Sequence, residues 1–258
     1  MYKFNFDNFV PLTRTPWAGD EISHIKKKYF PKEAHLIPEK IGESWEVSTD
    51  QSFPSYILKK DGTRTLFSES MEHCPLLLKW ISTSDVLSVQ VHPANGHRLL
   101  KEHECGKPEA WYIAHVQKNA KLYLGFKEDL SKEQIIDCLK NNRADECLHS
   151  FTPTVGDYVS VPTGCVHAVG AGIFLVEPQF VLPKKEGKTW RLFDWNRKYN
   201  ARGLLDPQGK PRELHVTEAL EAIDWNLPRG AKLQQILVKN YGHGERFLGD
   251  KLNPFCVQ

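Results

Sequence analysis

The chain alternates apolar and polar residues over many short stretches, which is the period-two signature of half-buried strands. Ile41–Ser48 places Ser44, Glu46 and Ser48 on one face and Trp45 and Val47 on the other. Pro75–Ile81 is an apolar run of strand length with one charge, Lys79, which is costly to bury without a partner. Leu87–Pro93 alternates again, and Asn95–Glu104 reads as a short helix or loop. Ala110–Ala114 and Ala120–Gly125 read as two paired strands around a turn at Lys118–Asn119. Further strands are expected after the Gly156–Asp157 turn through Val159 and Val161, at Ile173–Val176 and at Ile236–Val238. Helical spacing marks Ser131–Asn142, with Ser131 as N-cap and Ile135, Ile136 and Leu139 on one face, and also His215–Ile223. Many strands and few helices predict a mainly β, antiparallel sandwich or barrel.

The segment Leu87–Pro93 carries chemistry as well as structure. Val89 and Val91 share one face, and Ser88, Gln90 and His92 share the other. A polar triplet on one strand face is foreign to a core and natural in a pocket. Gly106-Lys107-Pro108-Glu109 and Gly156–His167 complete the pattern. In the second, Gly-Asp makes a hairpin turn, Pro162 and Gly164 shape a tight turn, and His167 opens the next strand. This second segment resembles the second conserved motif of the metal-binding cupins. Gln90, His92, Glu109 and His167 offer two nitrogen and two oxygen donors, a set that suits zinc and accommodates manganese, iron, cobalt or nickel. No thiolate is included and a coordination position stays open, which is the catalytic rather than the structural pattern. His97 and His103 read as exposed, and Cys105 and Cys165 as small buried thiols.

Composition narrows the partners. Across 258 residues the net charge is +2, too balanced for nucleic acid or a membrane surface as main partner. No apolar run approaches the roughly 20 residues that span a bilayer, and Met1–Val10 lacks a signal-peptide core. Six scattered cysteines without paired spacing suit free thiols in a reducing, cytoplasmic setting.

On these motifs, together with Trp190–Arg197 and Glu213-Leu214-His215, the chain resembles the type I mannose-6-phosphate isomerases in their shorter bacterial form. The resemblance implies a cupin-type jelly-roll β-sandwich or barrel with a few short helices. It implies a zinc-bearing catalytic domain over residues 1–215, with a helix inserted around 131–142. Residues 216–258 would be a connecting helix and the start of a C-terminal β domain left incomplete at Pro254–Gln258. By position, Gln90, His92, Glu109 and His167 would hold one zinc, Arg191 stands where the family has its active-site arginine, and Ser88, Lys79, Lys107 and Glu177 fall among substrate-pocket residues. The stretch Pro178–Thr189 departs from the family, being longer and more basic.

The implied reaction interconverts mannose 6-phosphate and fructose 6-phosphate through an enediol. It needs a base, for which Glu177 is the candidate, and positive charge on the developing enediolate, which Arg191 would supply. Lys79, Lys107, Arg197 and the Lys184-Lys185-Lys188 group are candidates for the phosphate, the last reading chiefly as solvated surface. A non-catalytic sugar-phosphate-binding or regulatory cupin is the competing reading, and an iron-dependent cupin oxygenase a third.

Overall fold

A computed structural model of the chain describes residues 3–71 and 73–241. Two antiparallel sheets dominate. The six-stranded sheet runs in the order Val238–Asn240, Asp157–Val161, Glu109–Val116, Ile173–Phe180, Leu76–Ser82, Glu43–Val47. The five-stranded sheet runs Leu148–Phe151, Leu122–Phe126, His167–Val169, Val89–Val91, Trp190–Phe193. A three-stranded antiparallel sheet (Lys3–Phe4, Tyr56–Leu58, Arg64–Leu66) and a parallel pair (Glu104–Cys105 with Glu186–Gly187) complete the β structure.

Period-two alternation decides what lies between and outside the sheets. Trp111, Ile113, Val159, Val161 and Leu175 from the six-stranded sheet meet Leu122, Leu124 and Val169 from the five-stranded one in a single buried cluster. Val89 and Val91 point the other way. They share a second cluster with Ile135 and Leu139 of the helix Lys132–Lys140 and Ala219 of the helix Val216–Ala222. Burying each of these Val, Ile and Leu side chains contributes roughly 1.5–3 kcal/mol. The helices therefore cover the apolar face of Val89–Val91 and leave its polar face to the space between the sheets.

The expected jelly-roll barrel is not what forms. The fold is a mixed arrangement of helices and several antiparallel sheets, and among the described residues no sheet closes, because the end strands of each do not pair with one another. Alternating polarity is the same in an open and a closed sheet. Closure depends on edge pairing, which that pattern does not encode.

Three local expectations are also corrected. Glu109–Val116 and Leu122–Phe126 do not pair: they lie in different sheets, joined by an arch in which Asn119 adopts φ 67°. Ile236 and Leu237 end the helix Gly230–Leu237, and the strand begins only at Val238. The strand expected at Ile173–Val176 continues to Phe180, so Pro178 and Gln179 lie in the sheet rather than in a loop. Asn95–Glu104, read as a short helix or loop, is loop up to the strand that starts at Glu104. The inserted helix is as its sequence predicts. Ser131 Oγ accepts from the Gln134 backbone N–H at 3.2 Å, and Gln134 Oε1 accepts from the Ser131 N–H at 2.7 Å, a reciprocal capping box. Among the described residues no helix is long and apolar enough to cross a membrane. The expected strand start at Pro254–Gln258 lies outside the described residues.

Candidate metal centre and cavity

Strand register builds the centre. Gln90 stands opposite His167 on one neighbouring strand and opposite Arg191 on the other, so the three form a row on one face of the five-stranded sheet. His92 follows two residues after Gln90. Glu109 comes from the facing six-stranded sheet, at the start of Glu109–Val116.

Two glycines make this approach possible. A Cβ on Gly106 would lie 2.6 Å from the Pro93 carbonyl oxygen, and the Gly106 N–H donates to Asn95 Oδ1 at 2.8 Å. The Gly106–Glu109 segment thus lies directly on the backbone that follows His92. Gly164 takes φ +82° and donates its N–H to the His92 carbonyl at 2.8 Å, tying the turn before His167 to the first histidine.

Both imidazoles are fixed by their backbone partners. His92 Nδ1 lies 3.1 Å from the Lys188 carbonyl oxygen and His167 Nδ1 lies 3.0 Å from that of Cys165. A carbonyl only accepts, so each Nδ1 carries the proton. Burial, followed by the Lys107 charge, pushes the His92 pKa down to about 3, and burial also lowers that of His167. Both rings are therefore neutral, with a bare lone pair on Nε2. Those lone pairs meet Glu109: His92 Nε2 is 3.1 Å from Oε2, and His167 Nε2 is 3.3 Å from Oε1. Burial opposes ionisation of Glu109, but the Lys107 charge beside it favours the carboxylate, and its pKa lies well below the usual range.

Three buried acceptors thus face one another, their ligand atoms all within 4.8 Å, and His92 Nε2 has no hydrogen-bond partner. Acceptors without a hydrogen between them repel, and a cation resolves that. His92, Glu109 and His167 fit a metal ion in donor type, tautomer and burial. Gln90 belongs to the same row; its amide nitrogen donates to Ser88 Oγ at 3.0 Å, which leaves the amide oxygen as its available donor atom.

The centre forms one wall of a cavity of about 490 Å³, a size that suits a small metabolite. Ser88, Gln90, Glu109, His167, Lys79, Lys107, Glu177 and Arg191 all line it; His92 does not. Lys79 is buried, 3.5 Å from Glu43 and 3.6 Å from Glu177, with its ammonium 4.6 Å from the Trp45 ring centroid. Lys107 Nζ lies 3.9 Å from Glu109. Glu177 accepts from Trp111 Nε1 at 3.0 Å; burial, then the Glu109 charge, pushes its pKa up to about 8 despite Lys79. Arg191 donates from Nη1 to the Glu213 carbonyl at 2.8 Å and from its backbone N–H to His215 Nδ1 at 3.2 Å, while its buried Nε has no partner. The Glu213-Leu214-His215 segment is thus the clamp that aims Arg191.

Other sequence candidates lie elsewhere. Arg197 does not line the cavity: it pairs with Asp85 and Asp194, each at 2.8 Å. Lys188 pairs with Glu104 at 2.6 Å, and Lys185 sits exposed at the cavity mouth, donating to the Glu102 carbonyl at 2.9 Å. Cys105 and Cys165 are buried thiols, and burial raises the Cys165 pKa to about 12. His103 is exposed, whereas His97 is half-buried and packs edge-on to Trp190. Sequence reasoning missed Arg14, Arg212, Glu43 and Gln179, all of which line the cavity. Arg212 had a signal, standing directly before the Glu213–His215 segment; Arg14 had none.

No family model matches the chain. Known proteins do. It is 32% identical over 230 residues to the mannose-6-phosphate isomerase of Streptococcus mutans, a match spanning 83% of this chain and 66% of that protein. It is 30% identical over 239 residues to a probable mannose-6-phosphate isomerase of Bacillus subtilis, spanning 86% of this chain and 71% of the relative. The crystal structure of a Bacillus subtilis mannose 6-phosphate isomerase matches with a TM-score of 0.63 at 25% identity, over 88% of this chain and 67% of that one. The chain thus covers about two thirds of the length of these relatives. With the His92–Glu109–His167 cluster in place, these matches show that the chain belongs to the type I, bacterial-type mannose-6-phosphate isomerase family.

Proposed function

We propose that the chain is a zinc-dependent aldose–ketose isomerase that interconverts mannose 6-phosphate and fructose 6-phosphate. One observation carries this reading: two neutral imidazole Nε2 atoms and a carboxylate converge on the wall of a cavity that also holds Glu177, with a pKa of about 8, and Arg191, with an unpartnered guanidinium N–H. His92, Glu109 and His167, with Gln90 beside them, would hold the zinc. When bound, zinc supplies Lewis-acid polarisation of the sugar oxygens.

The chain's own residues supply the rest. Ionised Glu177 takes the proton from C2 of the aldose and returns it to C1, while the hydroxyl proton on O2 passes to O1 so that the ketone forms at C2; a pKa close to neutrality suits a group that must both accept and release a proton. The Arg191 Nε–H donates to the oxygen that becomes negative in the enediolate. Lys79 and Lys107, buried beside Glu177 and Glu109, add positive charge at the reacting end. Arg14 and Lys185, exposed in the lining, and half-buried Arg212 match a phosphate dianion. Trp111 holds Glu177 through its indole N–H.

A coupled assay that detects fructose 6-phosphate formed from mannose 6-phosphate tests the reading. Activity should be present in the zinc-loaded protein, vanish with a chelator, return with zinc, and be absent from His167→Ala. An inactive zinc-loaded wild type would sink the isomerase reading. Sugar-phosphate binding without turnover would favour the non-catalytic alternative.

A further inference from the structure

Gln179 is buried on the strand Ile173–Phe180, directly opposite Glu109 in the antiparallel register. Its amide Nε2 donates to Glu109 Oε2 at 2.6 Å. The reverse orientation would set an amide oxygen against a carboxylate oxygen, so the assignment is fixed chemically. Its amide Oε1 is buried without a hydrogen-bond partner, on a residue that lines the cavity. Leaving a buried amide oxygen unsatisfied is costly, and one on a cavity-lining residue is placed to take a donor from whatever the cavity holds.

We infer that Gln179 is a two-ended positioning residue: its N–H locks the Glu109 carboxylate with one oxygen toward each histidine, and its free oxygen accepts a hydroxyl of the bound sugar. This rests on the metal-site reading above and deepens it. A carboxylate free to rotate about its last bond presents its oxygens to His92 and His167 only part of the time. The Gln179 N–H, anchored on the adjacent strand, removes that freedom. The same amide couples the ligand to the metal centre, since one rigid plane touches both. Pro178 supports the placement. It lacks an N–H and fixes its own φ, which stiffens the strand immediately before Gln179.

The test uses the full chain and Gln179→Met, which keeps the side-chain volume and removes both donor and acceptor. Zinc affinity is measured by competition with a chromophoric chelator. Binding of a hexitol 6-phosphate, which has the hydroxyls but no carbonyl to isomerise, is measured on zinc-saturated protein. Q179M should bind zinc about 10–100-fold more weakly, the usual cost of losing an outer-sphere hydrogen bond to a metal ligand. It should also bind the hexitol phosphate more weakly at saturating zinc, and its cobalt(II) absorption bands should shift. Wild-type zinc affinity with an unchanged cobalt spectrum in Q179M would overturn the inference. So would the same fall in zinc affinity accompanied by an equal loss of stability in the metal-free protein, which marks a structural role. If Q179M does not fold, Gln179→Asn, one methylene too short to reach Glu109, is subject to the same outcomes. A wild type that binds no zinc would sink the metal-site reading itself, and this inference with it.

Discussion

Lys79 and Glu177 stand directly opposite each other on the strands Leu76–Ser82 and Ile173–Phe180, with ammonium and carboxyl 3.6 Å apart. Glu43 approaches the same ammonium from the other side at 3.5 Å. Lys79 and Glu177 are buried and Glu43 is half-buried, so one cation is held against two acids. Burial lowers the Lys79 pKa, but Glu43 and Glu177 outweigh it and the net direction is up. Replacing Lys79 by Met would strand Glu43 beside an apolar chain. The expected loss is about 3–5 kcal/mol, the range for removing one member of a buried ion pair. Urea unfolding of metal-free wild type and Lys79→Met measures it, and a difference below about 0.5 kcal/mol would show the triad to be solvated.

The raised pKa of Glu177 has a definite sign in stability. In the unfolded chain an ordinary glutamate loses its proton near pH 4.3, whereas the folded metal-free chain keeps it until about 8. Between those values the folded state binds more protons, so this contribution is full below about pH 4 and falls away as pH rises to about 8. Glu177→Gln cannot titrate, so its metal-free stability should vary less over that window. Unfolding midpoints at several pH values, wild type against variant, decide it. In the zinc-loaded enzyme the same variant should lose about 10²–10⁴-fold in isomerisation rate, the usual share of a general base.

Asp194 carries the opposite sign. It is buried and accepts from Arg197 Nη2 at 2.8 Å and from Arg212 Nη2 and Nε at 2.6 and 2.7 Å. Burial pushes its carboxyl up, but the two guanidiniums outweigh that and hold it below the usual range. Its stabilisation is present above the unfolded pKa of about 3.9 and is lost as pH falls through the lower folded value. Asp194→Asn should cost about 3 kcal/mol at neutral pH, with a correspondingly weaker loss on acidification. It should also weaken sugar-phosphate binding by releasing Arg212 from its place in the cavity lining. Denaturation at pH 7 and pH 3, with a phosphate-ligand titration, checks both effects.

The His92–Glu109–His167 cluster was more legible in the sequence than the architecture that holds it. Period-two spacing put Gln90 and His92 on one face because side-chain direction along a strand is set locally. Ser131 and Gln134 announced their helix for the same reason, since a capping box spans four residues. The arch at Lys118–Asn119 was misread because two short apolar strands around a polar turn look alike whether they pair or part into different layers. Which happens depends on the partners Asp157–Val161 and His167–Val169, dozens of residues away. Gln179 was hidden by Pro178 and the basic run that follows, which resemble a loop until pairing with Glu109–Val116 makes them a strand. Arg14 reaches the cavity only through tertiary packing, and no neighbouring residue marks it.

The cluster draws His167 from one sheet, His92 from just past the end of that sheet's strand Val89–Val91, and Glu109 from the other sheet. An ion seated there is a rivet through two layers that are otherwise held by packed hydrocarbon, which resists separation better than it resists sliding. Metal retention then reports layer alignment. Damage far from the cavity, in the arch or in the helices behind Val89 and Val91, would show first as a faster release of an ion seated there, while the melting curve still looks intact.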